Sequence, residues 1–175
     1  AALAMVLLMA VGAWWWQRPV TVTAAPGSVV SHTLPDGSTV ELNGGSHLAY
    51  SRAMSTVAFL QDERRSVRVE GDAYLDVQSA KRPFVVRTAT AQIEVTGTAF
   101  AVQTDPEQTH VALAEGRVQV KGRKAPSAEP VPLRPDEAVF VGPEGPLSPP
   151  SDTSLQRVTA WRRGGFAVTA QPLPA

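Results

Sequence analysis

The chain has 175 residues, with 16 basic and 16 acidic side chains that cancel, no cysteine, 15 prolines and 13 glycines. That length suits one ordinary domain with a tail, and the balanced charge lacks the basic footprint that nucleic-acid binding needs. Without cysteine there is no disulfide framework, thiolate metal site or thiol nucleophile, although no compartment is excluded.

Ala1 to Trp16 carries no charge and is mostly apolar. A full membrane span needs about 20 apolar residues, so this stretch reads as the remaining part of a longer helix. Trp14, Trp15 and Trp16 suit the aromatic belt at a membrane–water boundary, with Arg18 and Pro19 just beyond it. A signal peptide is the rival reading, with Val11-Gly12-Ala13 as a small-residue cleavage site. Against it, no basic segment comes first and three bulky tryptophans would follow the cut. Residues 1–19 are therefore expected to be the end of a transmembrane helix.

From Val20 to Val141, turn signals recur every 8–12 residues or so, the spacing of an all-β sandwich or barrel. Leu34-Pro35-Asp36-Gly37 is typical: proline fixes φ, and Asp-Gly tolerates a tight turn. Beyond it Val40 and Leu42 alternate with Thr39 and Glu41, the period of a strand with one buried face. Further strand candidates are Val67–Val69, Phe84–Val86, Ile93–Val95, Phe100–Val102, Val111–Leu113, Val118–Val120 and Val139–Val141. Such short intervals leave no room for crossover helices, so the sheets should be mostly antiparallel. Residues 20–141 are predicted to form an all-β, antiparallel, two-sheet sandwich, with a β-solenoid as the alternative. The predicted core is Val29, Leu34, Val40, Leu42, Leu48, Val67, Val69, Leu75, Val77, Phe84, Val86, Val95, Phe100, Val102, Val111, Leu113, Val118 and Val120.

Residues 122–135, rich in Lys, Arg, Pro, Ser and Glu, read as an exposed loop. Residues 142–165 read as a Pro/Gly-rich linker and a short helix, because Leu155, Val158 and Trp161 recur at helical spacing after Asp152 or Thr153 as N-cap. Phe166 to Ala175 reads as the start of a further lobe.

Little here suggests enzymatic chemistry. His32, His47 and His110 lie in separate segments without ligand spacing, and no metal or cofactor site is expected. Gly44-Gly45-Ser46-His47 falls in a polar turn rather than a nucleophile elbow, and Asp72 and Asp76 flank an apolar strand as solvated turn residues. One dipeptide has a chemical option. If the turn at Val95-Thr96-Gly97-Thr98 strains its peptide, the Thr98 hydroxyl can attack the Gly97 carbonyl, shifting the acyl group from nitrogen to oxygen. The plain alternative is a strand glycine marking a bulge or a close backbone approach.

Taken in order, the segments resemble the FecR family of envelope signalling proteins. The resemblance is carried by Leu34-Pro35-Asp36-Gly37-Ser38 with Glu41-Leu42-Asn43, and by Arg65-Ser66-Val67. It continues through Glu70-Gly71-Asp72-Ala73-Tyr74-Leu75-Asp76-Val77, Arg82-Pro83-Phe84-Val85-Val86 and Val95-Thr96-Gly97-Thr98-Ala99-Phe100. Glu115-Gly116-Arg117-Val118 and Leu133-Arg134-Pro135-Asp136-Glu137 follow, and Trp161, Gly164-Gly165 and Pro172-Leu173 resemble the entry to the family's second periplasmic lobe. Asp72 stands where the family usually has Glu, and Asp136 where a turn glycine is common. The resemblance implies a single-pass inner-membrane protein with its β-domain in the periplasm. Such a protein relays a signal from a TonB-dependent siderophore transporter to an extracytoplasmic-function sigma factor, with envelope proteases involved. It implies self-cleavage at Gly97-Thr98 in some members. A different expectation is an envelope scaffold that binds peptidoglycan or a partner protein through the same domain.

Overall fold

The computed structural model describes residues 19–51, 54, 65–125, 127–146, 150–152 and 155–163. The chain runs β1 (Val20–Thr23), β2 (Val30–Thr33), β3 (Thr39–Leu42), β4 (His47–Tyr50), β5 (Arg65–Glu70), β6 (Asp72–Val77), β7 (Phe84–Arg87) and β8 (Ala91–Val95). It continues with β9 (Thr98–Thr104), β10 (Thr109–Glu115), β11 (Val118–Gly122), β12 (Val131–Leu133), β13 (Glu137–Gly142), β14 (Gly145–Pro146) and β15 (Ser151–Asp152). A four-residue helix, α1 (Leu155–Val158), and a 3-10 turn (Ala160–Arg163) follow.

The described strands form two sheets. The first has the order β1-β4-β5-β7-β8-β11-β12, and the second β2-β3-β6-β9-β10-β13-β14, with β15 also pairing β13. In both, spatial order follows chain order. The chain adds strands to one sheet, crosses to the other, and returns one place further along. This steady advance is what the solenoid alternative would give, but the pairing is that of the sandwich. A single-wound β-helix stacks parallel strands, whereas here every ladder is antiparallel except β5 with β7. That exception has a cause. A parallel pair needs a connection of about a dozen residues, and β6, placed in the opposite sheet, supplies it.

The core lies between the sheets and holds all the predicted core residues except Val29. Val29 is 48% exposed, because it lies just before edge strand β2, where no further strand covers it. Alternation is clean in β5 and β11 of the first sheet, which bury every second residue. Two readings from composition need correction. The 122–135 stretch is not all loop: Val131–Leu133 pairs with β11 and Leu133 is buried. Strands also continue into 142–152, where β14 and β15 both add to β13. Asp136, where the resemblance expects glycine, has a φ of 68°. Aspartate tolerates that left-handed conformation better than most residues. Among the described residues no helix is long and apolar enough to cross a membrane.

A buried ion pair ties the two sheets at one end. Arg65, at the start of β5, donates from Nη1 to Asp36 Oδ2 at 2.8 Å, and their side chains are only 2% and 5% exposed. Every guanidinium nitrogen is engaged: Nη1 also donates to the Gln78 carbonyl, and Nε and Nη2 donate to that of Arg82. Its planar group lies 5.4 Å from the Phe84 ring centroid. Asp36 in turn accepts from the Ser38 N–H and hydroxyl, closing the β2–β3 turn. Asp36→Ala is expected to destabilise the domain by about 3–5 kcal/mol, since it strands a buried cation. Urea unfolding should show a lower midpoint, with Asp36→Ala/Arg65→Met losing less than the sum of the single variants.

Candidate functional site

Two places merit functional attention, and both involve β6 and β9. The first is the corner where the chain leaves β8 in the first sheet and enters β9 in the second. Thr96 and Gly97 make the crossing, with the Ala80 N–H donating to the Thr96 carbonyl. Glycine is required on both sides of the following peptide. A Cβ on Gly97 would lie 2.8 Å from Ser79 Cβ, and one on Gly116 would lie 2.7 Å from the Gly97 carbonyl oxygen and 2.9 Å from Thr98 Oγ1. Gly116 also has a φ of 94°, which side chains resist. Thr98 is buried, pairs with Val77, and donates its hydroxyl proton to the Arg117 carbonyl at 3.0 Å. Gly97 and Thr98 are thus held together in a tight corner. The hydroxyl's proton is engaged, which leaves its lone pairs uncommitted to that bond.

The second place was not found from sequence. Glu41, Tyr74, Ala101, Ala112, Ala138 and Ser151 are register partners across β3, β6, β9, β10, β13 and β15. They form one row on the outer face of the second sheet. Ala101, Ala112 and Ala138 cluster there with Val158, and Tyr74 and Leu155 pack against them. The short alanine side chains let the helical segment lie close to the sheet. At its far end Arg162 forks onto Glu41, Nε to Oε2 at 2.6 Å and Nη2 to Oε1 at 2.8 Å. Its guanidinium sits 3.7 Å over the Tyr74 ring centroid. The bond from Arg162 holds the Glu41 carboxyl below the usual range, and Glu41 raises the Arg162 guanidinium in return. The available signal was alanine at outward positions of successive strands, where a solvated face would carry polar residues.

The remaining singled-out residues fall elsewhere. Trp14, Trp15, Trp16 and Arg18 lie outside the described residues. Ser46 accepts from the Asp72 N–H at 2.8 Å, and Asn43 donates to the Asp72 carboxylate, so these groups brace neighbouring turns. His32 bonds Tyr50 and His47 bonds Thr23. His110 stacks on the half-exposed Phe140 with centroids 4.1 Å apart, and burial lowers its pKa. The structure does not bring the three histidines into a shared contact.

Comparison with known proteins gives the following. Residues 20–119 match the model of a family described as FecR protein. A crystal structure at 2.50 Å of a candidate anti-sigma factor from Parabacteroides distasonis is similar, with a TM-score of 0.71 and 29% identity. The match covers 85% of this chain and 67% of that one. A 1.65 Å structure with the same description, also from Parabacteroides distasonis, gives a TM-score of 0.70 and 29% identity over 84% of this chain and 66% of that one. No curated protein sequence matches the chain significantly.

Gly116→Ala is expected to cost about 2 kcal/mol or more, through left-handed strain plus the clash with the Gly97–Thr98 peptide. Thr98→Val should cost about 1–2 kcal/mol by leaving the Arg117 carbonyl without its donor, and Thr98→Ser should recover most of it. Denaturant unfolding of the three variants checks both. Because Glu41 is depressed in the folded state, its contribution is present at neutral pH and is lost as pH falls through its lowered range. Glu41→Gln should therefore flatten the acid limb of the stability profile.

Proposed function

The chain belongs to the FecR family, and we propose that it is the signal-relay part of a transmembrane sigma-factor regulator. The observation that carries this reading is the similarity to a candidate anti-sigma factor over 85% of the chain, a longer stretch than residues 20–119 that match the family. In this reading residues 1–19 end a single membrane span and the β-domain stands in the periplasm. A TonB-dependent transporter loaded with a siderophore delivers the signal to the C-terminal side. An extracytoplasmic-function sigma factor is held on the cytoplasmic side, and envelope proteases complete the response. The β-domain itself acts as a binding and relay body rather than as an enzyme.

The regulator reading is tested in the native host by deleting the gene and profiling transcription. Derepression or loss of a sigma-dependent gene set, including a transporter gene, is expected. An unchanged transcriptome, with the purified protein binding peptidoglycan sacculi, overturns the reading in favour of an envelope scaffold.

A covalent step belongs to the same proposal, favoured by the glycine-only packing around Gly97–Thr98. Thr98 Oγ1 attacks the Gly97 carbonyl carbon, the C–N bond breaks, and the hydroxyl proton ends on the Thr98 nitrogen. Water then hydrolyses the ester, leaving a Gly97 carboxylate and a free Thr98 amine. Both pieces stay paired, because β9 lies against β6 and β11 against β8 across the cut. Intact mass of the purified chain should show two fragments that sum to the chain plus one water, and Thr98→Ala a single species. A single uncut wild-type species overturns this step and leaves Thr98 a structural residue.

A further inference from the structure

The sheet beneath residues 155–163 is complete without them. The inter-sheet core and the small cluster of Val158 with Ala101, Ala112 and Ala138 are separate groups on opposite sides of the second sheet. Nothing in the core cluster comes from the helical segment. The segment in turn lacks independent means of staying helical. Isolated helices shorter than about 12–15 residues are marginal in water, and α1 has four residues followed by a four-residue 3-10 turn. Its order therefore depends on docking.

The contact that docks it has two parts of different character. Leu155 and Val158 sit on alanines, an apolar contact of modest area. Arg162 is held by the Glu41 carboxylate and the Tyr74 ring at the sheet's rim. The paired side chains there are 31% and 27% exposed, so solvent reaches and weakens the pair. The contact is also geometrically specific. Ser151 lies in the same register row as Glu41, five strands away. The chain thus passes from β15, beside β13, to Arg162 on β3, crossing the sheet along a single row.

We propose that residues 155–163 are a releasable latch, docked in cis on the outer face of the second sheet and able to leave it while the two-sheet body stays folded. Closed, the latch tethers whatever follows residue 163 to β3 and β6. Open, it uncovers the alanine row, the Tyr74 ring face and the Glu41 carboxylate together. That surface is matched to a short segment with small apolar contacts and one terminal guanidinium, which is what residues 155–163 supply. The inference does not rest on the sigma-factor reading, and it holds or fails on the purified protein.

Limited trypsin digestion of the full chain, followed by mass spectrometry, measures the latch. Arg157, Arg162 and Arg163 offer cleavage sites within the segment. Glu41→Gln leaves every site in place and removes the charged anchor; cleavage there should accelerate roughly three- to tenfold. Val158→Asp removes the apolar part and should accelerate it by more than tenfold. In both variants the circular-dichroism melt of the β-body should stay within about 3 °C of wild type, the shift expected when the body's own contacts are intact. Unchanged cleavage in both variants overturns the proposal. So does acceleration that comes only with a body midpoint lowered by about 10 °C or more, which would make the segment an integral part of the fold.

Discussion

Arg65 is the largest side chain buried almost completely among the described residues, and its single partner of opposite charge comes from the other sheet. A guanidinium keeps its charge on burial, so burying it is tolerable only if its nitrogens find acceptors and a partner of opposite charge. Here the acceptors come from two separate pieces of chain. Asp36 belongs to the β2–β3 turn, while the Gln78 and Arg82 carbonyls belong to the long connection from β6 back to β7. The Arg65 N–H adds a bond to the Pro83 carbonyl, beside the start of the parallel pair. One cation therefore fixes the turn, the crossover and the parallel register together. The Leu34-Pro35-Asp36-Gly37-Ser38 motif looks like turn chemistry, and it is that. It also places a carboxylate where Arg65 needs one.

Strands such as β5 and β11 were legible because they bury one face and alternate at period two; nearly every predicted core residue is in the inter-sheet cluster. What alternation cannot say is which sheet a strand joins. The two sheets present the same pattern inward, so the advancing order and the β5–β7 parallel pair come only from the tertiary structure. Short edge strands were missed for a related reason. Val131-Pro132-Leu133 and Gly145-Pro146 carry proline, which cannot donate to a ladder and reads as loop. On an edge that deficit costs nothing, and both segments pair on one side only. Val29 failed in the other direction: an apolar residue in the right period, next to an edge strand with no neighbour to cover it.

Of the candidate site, Gly97 and Thr98 were visible as a dipeptide, but their environment was not. The residue that most confines them is Gly116, from a turn 18 positions onward whose conformation no local pattern specifies as a contact. The strapped face was hidden more deeply. Alanine counts as weakly apolar in a strand, and three of them in different segments look unrelated until the register aligns them. Arg162 and Glu41 are 121 residues apart in sequence. Charge pairing over such a separation leaves no trace in composition.

Both features converge on the same two strands. β6 carries Tyr74, on which Arg162 lies, and Val77, which pairs with Thr98. β9 carries Ala101 under the helical segment and Thr98 at its first position. The Arg162 anchor and the Gly97–Thr98 corner therefore lie three positions apart along one strand, on a sheet whose every ladder here is antiparallel. Force or displacement applied to the chain beyond residue 163 meets Glu41 and Tyr74 before it meets any residue of the inter-sheet core. That order matters physically. The contact at the rim is solvent-accessible and weak, whereas the Arg65 pair is buried, and removing either partner would strand a charge beside the apolar core. In the latch reading, a load from the C-terminal side meets this solvent-exposed pair before it reaches the buried body that holds the Gly97–Thr98 corner.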